Sequence, residues 1–197
     1  KNGAKIISVD PRFTRTSTKA DIYAPMRSGT DIAFLGGMIR WAIKKWEDTS
    51  GAEGINQKYV EDCTNALFIV KQPADPNPGF ETCRDSDHQG NFSDKTTWDY
   101  DYDTDYPATP PIKRPKKALN LNDLTCVFQK LKEQYSIYTP EMVEKICGTP
   151  ATLFEQICET YIGGTYADDK AGTMLYAMGW TQHTVGTQNI RAASILQ

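Results

Sequence analysis

The chain of 197 residues carries 22 Lys and Arg against 25 Asp and Glu, a net charge of −3, with 39% hydrophobic and 24% charged residues. That balance suits a globular protein with length for a sizeable core, and gives no global positive field to attract nucleic acid or an anionic membrane. No apolar run nears the ~20 residues of a membrane span.

In chain order, Lys5-Ile6-Ile7-Ser8-Val9 reads as a buried parallel strand that ends at Asp10-Pro11. After Pro25, Ile32, Leu35, Ile39, Ile43 and Trp46 recur at helical spacing. They predict an amphipathic helix over 31–47, with Thr30 as N-cap and Asp31 in the first turn. A short helix over 56–64 and a strand Leu67-Phe68-Ile69-Val70 follow. Residues 73–118 then lose all periodicity. Seven of the 11 Pro residues fall in 73–115, seven Asp against one Lys in 85–105, and four bases in 113–117. Their aromatics predict an ordered surface excursion rather than plain disorder.

Helical period returns at Asn120, where Leu121, Leu124, Val127, Phe128 and Leu131 predict a helix of about four turns. Thr139-Pro140 and Thr149-Pro150 each read as an N-cap followed by a first helical proline, and Gly148 and Gly163-Gly164 as stops. Thr173-Met174-Leu175-Tyr176-Ala177-Met178 reads as a second strong strand, with Gly179-Trp180-Thr181-Gln182-His183 at its carboxyl end and a last helix from about Thr184. That helix carries its amphipathic pattern into Ile195-Leu196-Gln197 without a stop signal, so a piece of a longer polypeptide is expected. Strand, loop and helix at both ends predict an α/β class: a Rossmann-like three-layer α/β/α domain with a mostly parallel sheet and a long irregular insertion. Residues 1–72 and 119–197 form its two parts, and 73–118 the insertion.

The sequence contains no G-x-x-x-x-G-K-[ST], H-E-x-x-H or G-x-S-x-G, and neither Gly36-Gly37 nor Gly163-Gly164 extends to G-x-G-x-x-G. P-loop enzymes, zincins, α/β-hydrolases and standard nicotinamide enzymes are set aside on that ground. The alternating aspartates 99–105 fail the Gly and Glu positions of an EF-hand from either start. Asn91-Phe92-Ser93 matches a glycosylation sequon, and His88 reads as a surface loop residue. Five cysteines lack any C-x-x-C; Cys126, Cys147 and Cys158 read as buried free thiols.

What remains is a set of polar residues just past the strands, where open α/β sheets bind ligands. Asp10, Arg12 and Thr14 follow the first strand. An aspartate there can accept from a ribose hydroxyl or guanine N–H groups, and an arginine can hold a phosphate. Ser28-Gly29-Thr30-Asp31 leads into a helix N-terminus with backbone donors and a carboxylate. His183 reads either as a turn cap or as a ligand residue.

Val9-Asp10-Pro11-Arg12-x-Thr14, Ala20-Asp21 and Arg27-Ser28-Gly29-Thr30-Asp31-Ile32-Ala33 resemble the dinucleotide-binding domain of molybdopterin oxidoreductases of the dimethyl-sulfoxide-reductase family. Phe13-Thr14-Arg15-Thr16, Asp94-Lys95-Thr96-Thr97-Trp98-x-Tyr100, Tyr138-Thr139-Pro140, Ile146-Cys147-Gly148-Thr149-Pro150 and Gly179-Trp180-Thr181-Gln182-His183 narrow the resemblance to the large subunit of respiratory and periplasmic formate dehydrogenases. The resemblance implies two molybdopterin guanine dinucleotides around one molybdenum or tungsten, and a [4Fe–4S] cluster elsewhere in the subunit. It implies formate as substrate, an iron–sulfur small subunit as partner beside the rest of the large subunit, and the periplasm as location. Asp10 and Asp31 would read guanine or ribose, and Arg12 and Ser28 would approach phosphates or sugar, with Thr14 in the same motif. Gly29 would admit close backbone approach, while Gly179, Trp180, Gln182 and His183 would line the pocket. The cluster cysteines, the selenocysteine or cysteine metal ligand and the formate-site arginine would lie outside these residues. A nitrate or thiosulfate/polysulfide reductase relative, or a non-catalytic partner-binding module, are the competing readings.

Overall fold

A computed structural model describes residues 3–70, 100–103, 114–165 and 170–197. His88, the sequon at Asn91, Cys83, and most of the 73–118 excursion lie outside the described residues. The chain divides into two compact units, one of residues 1–57 with 134–197 and one of 58–133.

The first unit opens with β1 (Ile7–Val9), which pairs in parallel with β2 (Ile22–Ala24) in the register Ile7↔Ile22, Ser8↔Tyr23, Val9↔Ala24. The crossover between them holds a 3-10 turn, Ser17–Lys19, whose buried Ser17 hydroxyl lies 3.1 Å from Ser8 Oγ. α1 (Asp31–Asp48) then buries Phe34, Leu35, Met38, Ile39, Ala42, Ile43 and Trp46. α1 packs against α4 (Pro140–Cys147) and α7 (Gly186–Leu196). The pair Gly36-Gly37 serves this packing rather than a phosphate loop: a Cβ at Gly37 would meet Val143 Cγ2 at 2.5 Å and Phe154 Cζ at 2.8 Å. Phe154 of α5 (Ala151–Cys158) is fully buried and meets Phe34 edge-on at 5.2 Å. A π-helical turn, Glu159–Gly163, extends α5, and α6 (Met178–Thr181) precedes α7.

The caps follow local chemistry. Thr139 Oγ1 accepts from Met142 N at 3.2 Å, and Gly148 closes α4 at φ 78°, a backbone angle that suits glycine. Thr30 stands at the N-cap of α1, but its hydroxyl turns back to donate to Arg27 O at 2.7 Å. Thr149 also departs from its expected role: it donates to Pro25 O, while Glu144 Oε2 accepts from Ala151 N at 3.0 Å in its place.

In the second unit, residues 66–67 form a turn, and strand-like bridges join Phe68 to Lys117, Ile69 to Cys126 and Val70 to Tyr100. β3 (Tyr102–Asp103) and β4 (Arg114–Pro115) pair antiparallel, and α2 (Gln57–Cys63) stands ahead of them. α3 runs from Val127 to Tyr135, so the helix expected from Asn120 starts seven residues late. The side chains of Asn120 and Asp123 take the backbone N–H groups of Asn122 and Thr125, which closes turns instead of helix and leaves Leu124 77% exposed. Cys126 is buried but precedes the helix.

The α/β class holds, with two two-stranded sheets among the described residues: parallel β1–β2 in the first unit and antiparallel β3–β4 in the second. The strand expected at Thr173–Met178 is corrected: residues 173–177 have no ladder partner among the described residues, and Met178 opens α6. An apolar run specifies a strand only when another strand lies alongside to take its backbone groups. His183 therefore follows a short helix, and α7 begins at Gly186. No helix of the described residues is long and apolar enough to cross a membrane.

Candidate functional site

β1 and β2 end side by side, so whatever follows them shares one sheet edge. Asp10 N donates to Ala24 O at 3.1 Å, which fixes the first exit against the second. Asp10 Oδ1 accepts from Arg12 N at 2.8 Å, an Asx turn that closes the exit from β1 and leaves Arg12 exposed. Phe13 packs edge-on to Tyr23 at 5.0 Å, and Tyr23 OH donates to Asp10 O at 3.1 Å. Thr14 faces inward: its Oγ1 lies 3.2 Å from Ser17 Oγ, and its N–H donates to the same oxygen. Its hydroxyl is part of the loop's own scaffold.

β2 exits through Pro25–Thr30 into α1. Gly29 sits at φ 81°, and a Cβ there would meet nothing within 4 Å. The backbone angle, not crowding, calls for glycine, and it leaves Gly29 an open face. Asp31 opens α1, with its side chain 13% exposed. Its Oδ1 accepts from Trp180 Nε1 at 2.8 Å, and its Oδ2 lies 3.9 Å from His183 Nδ1, an ion pair when the imidazole is protonated. Tyr176 stacks on Trp180 at 5.0 Å. The structure thus brings Asp31, Trp180 and His183 together across almost the whole chain. Asp10, Arg12 and Thr14 form a second group after β1 on the same edge, and Ser28 and Gly29 precede Asp31 in the loop from β2. Gly179 and Gln182 lie exposed on and just after α6, and the Gly179 Cβ direction is open.

Sequence reasoning missed the residues that hold the 25–30 loop: Arg27, Cys147 and Thr149. All three lie in runs quoted for the resemblance. Nothing local in either run announces that they meet.

The edge fits a dinucleotide by its donor set. It combines the N-terminal N–H groups of α1, an exposed Arg12 and two carboxylates, which can accept N–H or O–H groups. Each oxygen of Asp31 keeps acceptor capacity beyond the Trp180 bond. Among the described residues no three His, Cys, Asp or Glu side chains group as metal ligands.

No family model matches the chain. In structure it is similar to acetylene hydratase from Pelobacter acetylenicus, with a TM-score of 0.57 and 20% identity over 99% of this chain and 17% of that one. That likeness shows the fold: the chain has the fold of one stretch of a much larger enzyme. In sequence it is 44% identical over 196 residues to the formate dehydrogenase-O major subunit of Escherichia coli (strain K12), covering 100% of this chain and 18% of the relative. It is 43% identical over 195 residues to the formate dehydrogenase subunit alpha of Megalodesulfovibrio gigas, covering 99% and 18%. Along its whole length the chain is thus homologous to one stretch of formate dehydrogenase major and alpha subunits. It spans 18% of the length of these curated relatives.

Proposed function

We propose that this chain is the guanine-dinucleotide-binding stretch of a formate dehydrogenase large subunit, which oxidises formate to carbon dioxide. The observation that carries the reading is the meeting of Asp31 with Trp180 and His183 at the N-terminus of α1, which follows β2, while the Asp10–Arg12 turn follows the parallel neighbour β1. Similarity to formate dehydrogenase major subunits along the whole chain supports it. Asp10 and Asp31 accept from guanine or ribose, Arg12 and Ser28 hold phosphate or sugar, and Gly29 lets the dinucleotide approach the backbone. Gly179, Trp180, Gln182 and His183 line the opposite wall; Thr14 supports the first loop.

When bound, two molybdopterin guanine dinucleotides on tungsten or molybdenum supply the two-electron oxidation. A [4Fe–4S] cluster elsewhere in the same subunit would supply the electron exit toward an iron–sulfur small subunit, and the enzyme would work in the periplasm. The metal ligand, whether selenocysteine or cysteine, lies in another part of the subunit. What these residues do is bind and orient.

The test is the guanine nucleotide released per purified full-length subunit. Asp10→Ala and Asp31→Ala each remove a charged acceptor worth about 1.5–3 kcal/mol, so retention after dialysis falls by roughly tenfold or more. Formate-dependent dye reduction falls in proportion. Parent-level nucleotide in both variants would reject the site.

A further inference from the structure

Ser28, Gly29 and Asp31 can serve a ligand only if the loop that carries them keeps its shape, and the chain holds that loop from one place. Arg27 N donates to Cys147 O at 2.7 Å. Arg27 Nη1 donates to Lys145 O at 2.7 Å and to Ile146 O at 2.9 Å. These are three successive carbonyls at the end of α4, where intrahelical donors run out and partial negative charge collects. The guanidinium lies over Gly148, where a Cβ would stand 3.4 Å from Arg27 Cζ.

Two more bonds grip the loop on either side of Arg27. Thr149 Oγ1 donates to Pro25 O at 2.7 Å, and Cys147 Sγ reaches Thr30 O at 3.5 Å. Thr149 and Cys147 are both fully buried. The start, middle and end of the loop are therefore bonded to residues 145–149, more than a hundred positions away in sequence.

We propose that Arg27 is a positioning residue of the dinucleotide site. It clamps the loop to the C-terminus of α4, so that the backbone donors of Ser28 and Gly29 and the Asp31 carboxylate are in place before the ligand arrives. An ordered loop loses no freedom on binding, and that saving appears as affinity. The inference rests on the dinucleotide reading of the edge. Arg27 acts through the loop, with Nη1 turned to carbonyls rather than to an anion.

The experiment uses the full-length subunit purified with its cofactor, as parent, Arg27→Ala, Arg27→Lys, Thr149→Val and Asp31→Ala. Guanine nucleotide retained after dialysis, melting temperature and amide exchange over residues 26–31 are measured. Arg27→Ala is expected to lose nucleotide roughly tenfold faster, with faster exchange in the loop and a nearly unchanged melting temperature. Millimolar guanidinium, but not the same concentration of sodium, restores retention. Arg27→Lys falls between parent and alanine, and Thr149→Val shifts in the same direction; these two carry the test if the alanine variant does not fold. Nucleotide loss with parent-like loop exchange would overturn the inference, because Arg27 would then hold phosphate directly. Parent-like retention in Arg27→Ala beside loss in Asp31→Ala overturns the positioning role and leaves the site standing. Parent-like retention in Asp31→Ala rejects the site itself, and the positioning role with it.

Discussion

Between β2 and α1, Pro25, Arg27 and Thr30 are each bonded to the end of α4 or to the turn that follows it. Between residue 173 and α7, Leu175 is 94% exposed and Met178 66% exposed. Both segments carry candidate ligand residues, yet one is fixed by its own chain and the other is pinned at its polar tip, where Trp180 reaches Asp31. The first segment is mostly polar, and backbone groups of Pro25, Arg27 and Thr30 are bonded to residues 147–149. The second displays apolar side chains that a folded protein covers. A binding edge assembled from two such halves has a rigid wall and an adaptable one, joined at Asp31.

The largest effect is expected where the rigid wall rests on the core. Phe154 is fully buried, touches Phe34 and sits in the second turn of α5, directly after the turn that grips the loop. Phe154→Ala leaves a cavity and costs about 3–5 kcal/mol. The full-length subunit should melt well below the parent, and amide exchange over 25–30 should rise with exchange in α4 and α5. A parent-like melting temperature would show that this wall stands without α5.

An intermediate effect is expected at the joint. Asp31→Leu removes the acceptor for Trp180 and the charge facing His183, while Asp31→Asn keeps an oxygen for the indole. Exchange over 178–185 should rise roughly tenfold in the leucine variant and stay near parent in the asparagine one, as the loss of one charge-assisted bond implies. Exchange over 25–30 should hardly move in either. If both segments loosen together, the contrast between them is false.

Much of the rigid wall was legible in the sequence, and its fastening was not. The helix at Asp31, the Thr139-Pro140 start and the Gly148 stop follow from local rules that the structure repeats. β2 escaped because three residues before a proline carry no periodicity. Asn120 and Asp123 delayed α3 because their side chains compete for backbone N–H groups, which an apolar count ignores. The strand expected at Thr173–Met178 failed for the converse reason: the apolar pattern was present and the pairing partner was not among the described residues. At the site, the residue types could be read, but the contact of Asp31 with Trp180 spans 149 positions and no local pattern encodes it. The Arg27 clamp was hidden likewise, since its acceptors are backbone carbonyls, which every sequence has.

The smallest effect is expected at the far end of α4, away from the turn that holds the loop, and it depends on pH. Thr139 Oγ1 accepts from Met142 N, and loss of such a cap costs about 1 kcal/mol, so Thr139→Ala should lower the melting temperature slightly. Glu141, in the same first turn, is held below the usual carboxylate range, first by its hydrogen bond with the Thr139 hydroxyl, then by its own backbone N–H and by Arg40 nearby. A carboxyl group with a lowered folded-state value stabilises the fold above its ordinary value, about 4.3, and that contribution is lost as pH falls through the lower folded value. Exchange at Met142 and Val143, corrected for intrinsic rate, should therefore quicken on acidification in the parent. Glu141→Gln should flatten that dependence, and Thr139→Ala should weaken it, because the hydroxyl is its main cause. Loop 25–30 should stay at parent level throughout, since its grip is on residues 145–149 at the other end of the helix. A loop that loosened along with the α4 start would mean that the helix transmits fraying along its length, and the rigid wall would then owe its order to the cap as much as to the turn.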